Sequence, residues 1–226
     1  MKQIDRRTLL GVSGSAALLA LPGCASLPGF SLTDAIRRLL TLSSQNAFAA
    51  LLQPGGFYDS QIARIDLPRQ LGGSGAGSVL SAVLQSGAFR RSLQKQVNRA
   101  AEKGAERAAP LVTDVVRNMS IEDAAALVRG GPEAATGYLR QKMGRSLVDA
   151  MVPGIGEGLR IFDDGIISRA LSAASGIDFA GLANDISSRA DTAIWKAIGM
   201  EEANIRANPE ATNDPLLIGV FGTGVF

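Results

Sequence analysis

Histidine is absent from this chain and cysteine occurs once, as Cys24. The first absence removes Ser/His and Cys/His nucleophile pairs, imidazole metal sites and the usual proton shuttle near neutral pH. The second removes an internal disulfide and a thiolate zinc site. Aromatic residues make up 5% and charged residues 19% of the 226 positions, against 46% apolar. That apolar share is enough for one core of ordinary size and excludes a disordered chain. Ala and Leu supply most of it, which favours helices over β-rich architectures, and the 26 Gly and nine Pro show no collagen-like period. Little catalytic machinery remains: neither a metal site nor a cofactor is expected, and no reaction can be named from residue types.

Long apolar runs are missing too. Leu9 to Leu21 is apolar for thirteen positions, short of the about 20 needed to span a bilayer. With Lys2, Arg6 and Arg7 ahead of it, the run reads as an export signal. It ends in Leu21-Pro22-Gly23-Cys24, which resembles a bacterial lipobox, although Pro22 departs from the usual pattern. Arg6-Arg7-Thr8-Leu9-Leu10 resembles the twin-arginine export motif, with Asp5 where Ser or Thr is common. The expectation is a cleaved signal over 1–23 and a lipidated tether over 24–33, with fatty chains such as palmitate on Cys24. Lipidation would also remove the lone thiol from an oxidising compartment, whereas the alternative is an ordinary buried thiol. Ala25 after the cysteine favours the outer membrane, with the domain facing the periplasm.

The signal holds three of the 23 cations and one of the 21 anions, so the mature part carries 20 of each. Its neutrality gives no electrostatic support for nucleic-acid binding. The charge is nonetheless unevenly placed. Arg91, Lys95, Arg99, Lys103 and Arg107 step by four, and so do Phe89, Leu93, Val97, Ala101 and Ala105. An offset of two residues turns about 200° round a helix, so the basic row lies opposite the apolar one. Residues 85–108 are net +4, while residues 151–226 are net −5. The row reads either as a solvated face matched by the acidic last third, or as a contact for anionic lipid phosphates or an acidic partner.

Helical periodicity fills most of the mature chain. Thr33 is expected to cap a first helix carrying Ile36, Leu39, Leu40, Phe48, Leu51 and Leu52, stopped by Gln53-Pro54-Gly55-Gly56. Phe57 to Pro68 is irregular. Gly72-Gly73-Ser74-Gly75-Ala76-Gly77-Ser78 has no Lys for a phosphate loop and reads as a flexible linker or frayed helix start. Pro110 is expected to break the basic helix, with a short helix from Leu111 to Asn118, and Ser120-Ile121-Glu122-Asp123 resembles a capping box. Gly130-Gly131-Pro132 closes one helix and seeds the next, which runs to Pro153 ahead of a flexible Gly154-Ile155-Gly156-Glu157-Gly158. Ile161 to Leu171 suggests a helix, in which Asp163-Asp164 reads as a solvated face. Leu182, Ile186, Ala190, Ala193, Ile194, Ala197 and Ile198 mark a last long helix ending at Asn208-Pro209, where Glu202 and Arg206 are spaced for an ion pair.

Several stretches together resemble the bacterial domain-of-unknown-function family DUF4197. They are Asn98-Arg99-Ala100-Ala101-Glu102, Asn118-Met119-Ser120-Ile121-Glu122-Asp123-Ala124, Gly130 to Tyr138, and Glu201-Glu202-Ala203-Asn204-Ile205-Arg206-Ala207-Asn208-Pro209. The likeness spans about residues 34–222, with a Gly-Ser tract where the family carries a charged helix. It implies an exported helical domain, often a lipoprotein, without an assigned activity. It singles out Asn98, Glu102, Asn118, Asp123, Glu201, Glu202 and Arg206 as motif residues.

The expectation is therefore a single all-α domain of about seven to nine helices over 34–222, following a cleaved lipoprotein signal peptide and a short tether. It would be anchored to a membrane through Cys24 and act without catalysis, as a binding or scaffolding protein of the envelope that takes an apolar ligand, a lipid surface or a protein partner. The alternative is a carboxylate-dependent hydrolase of envelope glycans using two of Glu102, Asp123, Glu201 and Glu202, which requires two carboxyl groups facing one cleft.

Overall fold

The computed structural model describes residues 31–68, 86–160 and 179–222. The expected signal with Arg6, Arg7 and Cys24, the Gly72–Ser78 tract, and the helix with Asp163-Asp164 all lie outside these residues. Among these residues there are seven α-helices: α1 Leu32–Leu51, α2 Gly87–Asn118, α3 Ala124–Arg129, α4 Ala134–Met143, α5 Ser146–Arg160, α6 Phe179–Ala207 and α7 Pro215–Phe221. A 3₁₀ turn, Pro209–Thr212, joins the last two. No strand occurs among the described residues, so the chain is all-α as its composition predicts.

Four helices make the frame. α1 packs on α2 and α6, and α5 packs on α2 and α6, so α1, α2, α5 and α6 close a ring around the core. The apolar row of α2, from Phe89 through Leu93, Val97, Ala101 and Ala105 to Val112 and Val116, is buried within it. So are Ile36, Leu39 and Leu40 of α1, Leu147, Met151 and Ile155 of α5, and Leu182, Ile186, Ile194 and Ile198 of α6. The short helices α3, α4 and α7 pack against the sides of this ring. Phe57, Ala63 and Ile65 enter the core from the turns between α1 and Pro68.

Four local expectations are corrected. Ser31, not Thr33, caps α1, its hydroxyl accepting from the Asp34 amide at 3.1 Å. Pro110 does not break α2: it lies on the exposed side of one 32-residue helix. Pro110 removes the donor for the Glu106 carbonyl on an exposed turn, while Ala108 and Val112 stay buried on either side and keep the helix packed on the core. Asp123 rather than Ser120 starts α3, its carboxylate accepting from the Ala126 amide at 2.8 Å. Pro132 precedes α4 instead of opening it; Glu133 occupies the cap position without a side-chain bond.

The largest departure is in α5, which runs unbroken through Pro153 and all of Gly154–Gly158. Gly154 and Gly158 are packing surfaces. A Cβ on Gly154 would fall 2.6 Å from the Lys103 carbonyl oxygen, and one on Gly158 2.8 Å from Ala100 Cα. From the other side, a Cβ on Gly104 would meet Ile155 Cγ1 at 2.7 Å. Small residues one turn apart on both helices let the α2 and α5 backbones touch, and the dispersion gained outweighs the low helix propensity of glycine.

Candidate functional site

The residues that the sequence singles out separate into structural ties and a charged cleft. Asn98 belongs to the first group. Its side chain is fully buried on α2, where Oδ1 accepts from the Ile65 amide at 2.8 Å and Nδ2 donates to the Ile65 carbonyl at 2.9 Å. A second bond from Nδ2 reaches the Gln94 carbonyl at 2.7 Å. One amide thus satisfies both backbone groups of a buried loop residue, as a neighbouring strand would.

Glu202 and Arg206 are a second tie. Glu202 is fully buried on α6, and its carboxylate accepts from the Ala135 amide at 3.0 Å and the Thr136 amide at 2.6 Å. It therefore supplies, from another helix, the N-terminal cap that Glu133 does not give α4. Arg206 binds Glu202 Oε1 at 2.8 Å and donates to the Val128 and Leu127 carbonyls at 3.0 and 2.9 Å, closing the C-terminal end of α3. Its guanidinium also stacks 4.8 Å from the Phe221 ring centroid on α7. The i,i+4 pair expected from spacing is present, and its partners are helix ends.

Asn118 and Asp123 sit at helix ends as well. Asn118 is exposed and its Nδ2 donates to the Asp114 carbonyl at 2.9 Å. Glu201 points the other way from Glu202: Asn46 Nδ2 donates to its Oε2 at 3.2 Å, and both line a cleft of about 600 Å³ with Asn204 and Asn208. The four carboxylates considered for hydrolysis therefore occupy four settings. Glu102 lines one cleft, Glu201 another, Glu202 is sealed in the core, and Asp123 caps α3. They do not converge on one scissile bond.

All five cations of the basic row are exposed along α2. Lys103 binds Glu106 at 3.1 Å, and Arg107 binds Glu157 of α5 at 2.8 Å. Among the described residues, Arg107 is the member of the row that meets an acid of the last third; Arg91, Lys95 and Arg99 form no ion pair. Lys95 instead lies 5.4 Å from the Tyr58 ring centroid, with Arg64 at 4.8 Å from the same ring.

Lys95, Arg99 and Lys103 form one wall of a cleft of about 530 Å³. The other wall comes from the turns after α1, through Pro54, Gly55, Tyr58 and Asp59. Glu102 links the walls. Burial pushes its carboxyl above the ordinary value, while the facing amides of Phe57 and Gly55 and the charge of Arg99 pull it back only in part, and Glu106 adds to the rise. Its Oε1 is buried without a hydrogen-bond partner. Tyr58 belongs to a Phe57-Tyr58 step that also fits the family pattern, whereas Asp59 has no such signal, and the sequence places neither at the basic row. They lie about forty residues from the basic row in a segment without periodicity, so the juxtaposition has no signal in spacing.

These features define a helical protein with a charged surface cleft and no cluster of metal-ligating side chains among the described residues. Comparison with family models finds one match, to a family described as protein of unknown function (DUF4197), over residues 26–222. The chain belongs to that family. Neither the curated proteins nor the solved structures give a match.

Proposed function

We propose that this chain is an exported lipoprotein, held to an envelope membrane through Cys24, whose basic α2 face and cleft bind phosphate-bearing groups without catalysing a reaction. The observation that carries the reading is the state of the basic row. Among the described residues, Arg91 and Arg99 are exposed two turns apart with no ion pair, and Lys95 between them meets only an aromatic ring. Intramolecular charge matching would have quenched them, as it does Arg107. A row left unmatched is an electrostatic footprint for an external anion, with each cation contributing about 1 kcal/mol near an anionic surface.

The lipidation step is supported by the order of paired arginines, short apolar run and Cys24. Growth with labelled palmitate should place label on the parent and none on Cys24→Ser; label on both, or on neither, overturns the anchor. Recognition is tested with the full chain carrying Cys24→Ser, by flotation with phosphatidylglycerol or phosphatidylcholine vesicles. Binding to the anionic vesicles should fall about tenfold on adding Arg91→Glu and Arg99→Glu together, and it should weaken with salt. Equal recruitment by both vesicle types, or indifference to the charge reversals, refutes the reading.

A further inference from the structure

Two unpaired side chains of opposite sign share the α2 cleft. Arg99 on the helix wall and Asp59 on the loop wall both line it, and neither side chain makes a hydrogen bond or ion pair among the described residues. Neighbouring charges do pair where geometry allows, Lys103 with Glu106 and Arg107 with Glu157. Opposite charges held apart within about 530 Å³ are complementary to a ligand that itself carries both signs.

We propose that this cleft takes a phosphate ester bearing a primary amine, of the phosphoethanolamine type. The inference rests on the reading of the basic face as a phosphate contact and names the ligand class for it. Arg99 would meet the phosphate, since a guanidinium offers parallel N–H donors that match two phosphate oxygens, with Lys95 and Lys103 adding charge on either side. Asp59 would accept from the ammonium, whose three donors suit a carboxylate without a partner. The lining disfavours simpler ligands. The lining carries both signs, so a ligand with both charges answers each, whereas bare phosphate leaves Asp59 without a partner and a bare amine leaves Arg99 without one. The Tyr58 ring stacks with Lys95 and so steadies that ammonium at the cleft.

The test is calorimetric titration of the full chain carrying Cys24→Ser with O-phosphoethanolamine, inorganic phosphate, ethanolamine and glycine. Phosphoethanolamine should bind about five- to tenfold tighter than phosphate, the size of one partly screened ion pair. Adding Asp59→Asn should bring the two to near parity with phosphate binding retained, and an unchanged thermal melt would show that the fold is intact. Arg99→Ala should weaken both ligands. Parity in the parent, or a preference that survives Asp59→Asn, overturns the inference while leaving the phosphate reading in place. Glycine binding as tightly as phosphoethanolamine removes the phosphate from the assignment. Absence of binding by either phosphate compound overturns this inference and the phosphate reading together. Flotation with vesicles containing phosphatidylethanolamine separates the sources: recruitment supports a lipid headgroup, and binding of the soluble ester alone supports a free metabolite.

Discussion

Alanine at Gly154 and alanine at Gly156 should change stability in opposite directions, although the two sites are two residues apart on α5. At Gly154 the added methyl would lie 2.6 Å from the Lys103 carbonyl oxygen and 3.0 Å from Arg107 Cδ. The first of these is backbone inside a continuous helix and cannot rotate aside, so α2 and α5 must part by several tenths of an ångström. Overpacking of this kind costs about 1–3 kcal/mol, against which alanine recovers about 0.8–1.0 kcal/mol of helix propensity. The net loss is about 0–2 kcal/mol. At Gly156 nothing lies within 4 Å of the added methyl, so the propensity gain stands alone at about 0.5–1 kcal/mol. For a domain of this size each kcal/mol moves Tm by about 2–4 °C. Thermal melts followed by far-UV circular dichroism should therefore place Gly154→Ala below the parent by up to about 8 °C and Gly156→Ala about 1–4 °C above it. Equal melts for the two variants, or a stabilised Gly154→Ala, would refute the claim that glycine brings these helices into backbone contact.

Three further outcomes follow from the buried polar groups. Asn98→Ala leaves the buried amide and carbonyl of Ile65 without partners and should cost about 2–4 kcal/mol, with faster amide exchange at Ile65 as the local signature. Glu202→Ala strands Arg206, whose side chain is 10% exposed, and should cost about 3–5 kcal/mol in denaturant titrations; a loss below about 1 kcal/mol would contradict the tie between α3 and α4. The pH dependence of Glu102 and Asp214 should differ in sign. Burial holds Glu102 above its ordinary value, so the folded state binds its proton more tightly and stability falls as pH rises from about 4.5 through the raised folded value. Glu102→Gln should then be more stable than the parent at neutral pH, with the advantage shrinking on acidification. For Asp214, burial opposes ionisation but is outweighed by Arg38 and the Leu217 and Leu216 amides, leaving the carboxyl below its ordinary value. Its contribution is present above the unfolded value near 3.9 and is lost as pH falls through the lowered folded value, so Asp214→Ala should lose about 1 kcal/mol as a cap at neutral pH and approach the parent in strong acid.

How much of this was legible depended on whether the deciding interaction was local. The faces of α1, α2 and α6 were readable because their apolar residues recur at three and four, and those residues are the ones buried. Pro110 and the Gly154–Gly158 stretch were misread because proline and glycine act as local breakers, whereas here the outcome was set by partners in another helix. Pro110 faces solvent, and Gly154 and Gly158 face α2. The 3₁₀ turn and α7 also went unread: Asn213 in the left-handed region at φ 51° and the Asp214 cap that ties to Arg38 give them their shape. The candidate site divides the same way. The basic row follows from a spacing of four, while its opposite wall, Tyr58 and Asp59, reaches it only through the turns that Asn98 pins to α2.

The family motif residues and the unpaired charges therefore have different physical roles. Asn98 replaces missing strand partners for Ile65. Glu202 sits at the positive N-terminal end of α4 and Arg206 at the negative C-terminal end of α3, so each charge of the pair is satisfied by the other and by a helix end. Side chains with every donor and acceptor engaged inside the fold have no capacity left for a ligand. Arg91, Arg99 and Asp59 keep that capacity among the described residues, exposed by the same fold on one helix and one loop. A variant series should separate the two sets. Changes at Asn98, Glu202 and Arg206 should lower stability in proportion to the hydrogen bonds removed and reduce binding only through the fraction unfolded. Changes at Arg91, Arg99 and Asp59 should leave melting within about 0.5 kcal/mol of the parent and act on binding directly. A binding loss at Arg206 without a stability loss would move that residue from architecture to site, and would show that the tie between α3 and α4 serves recognition itself.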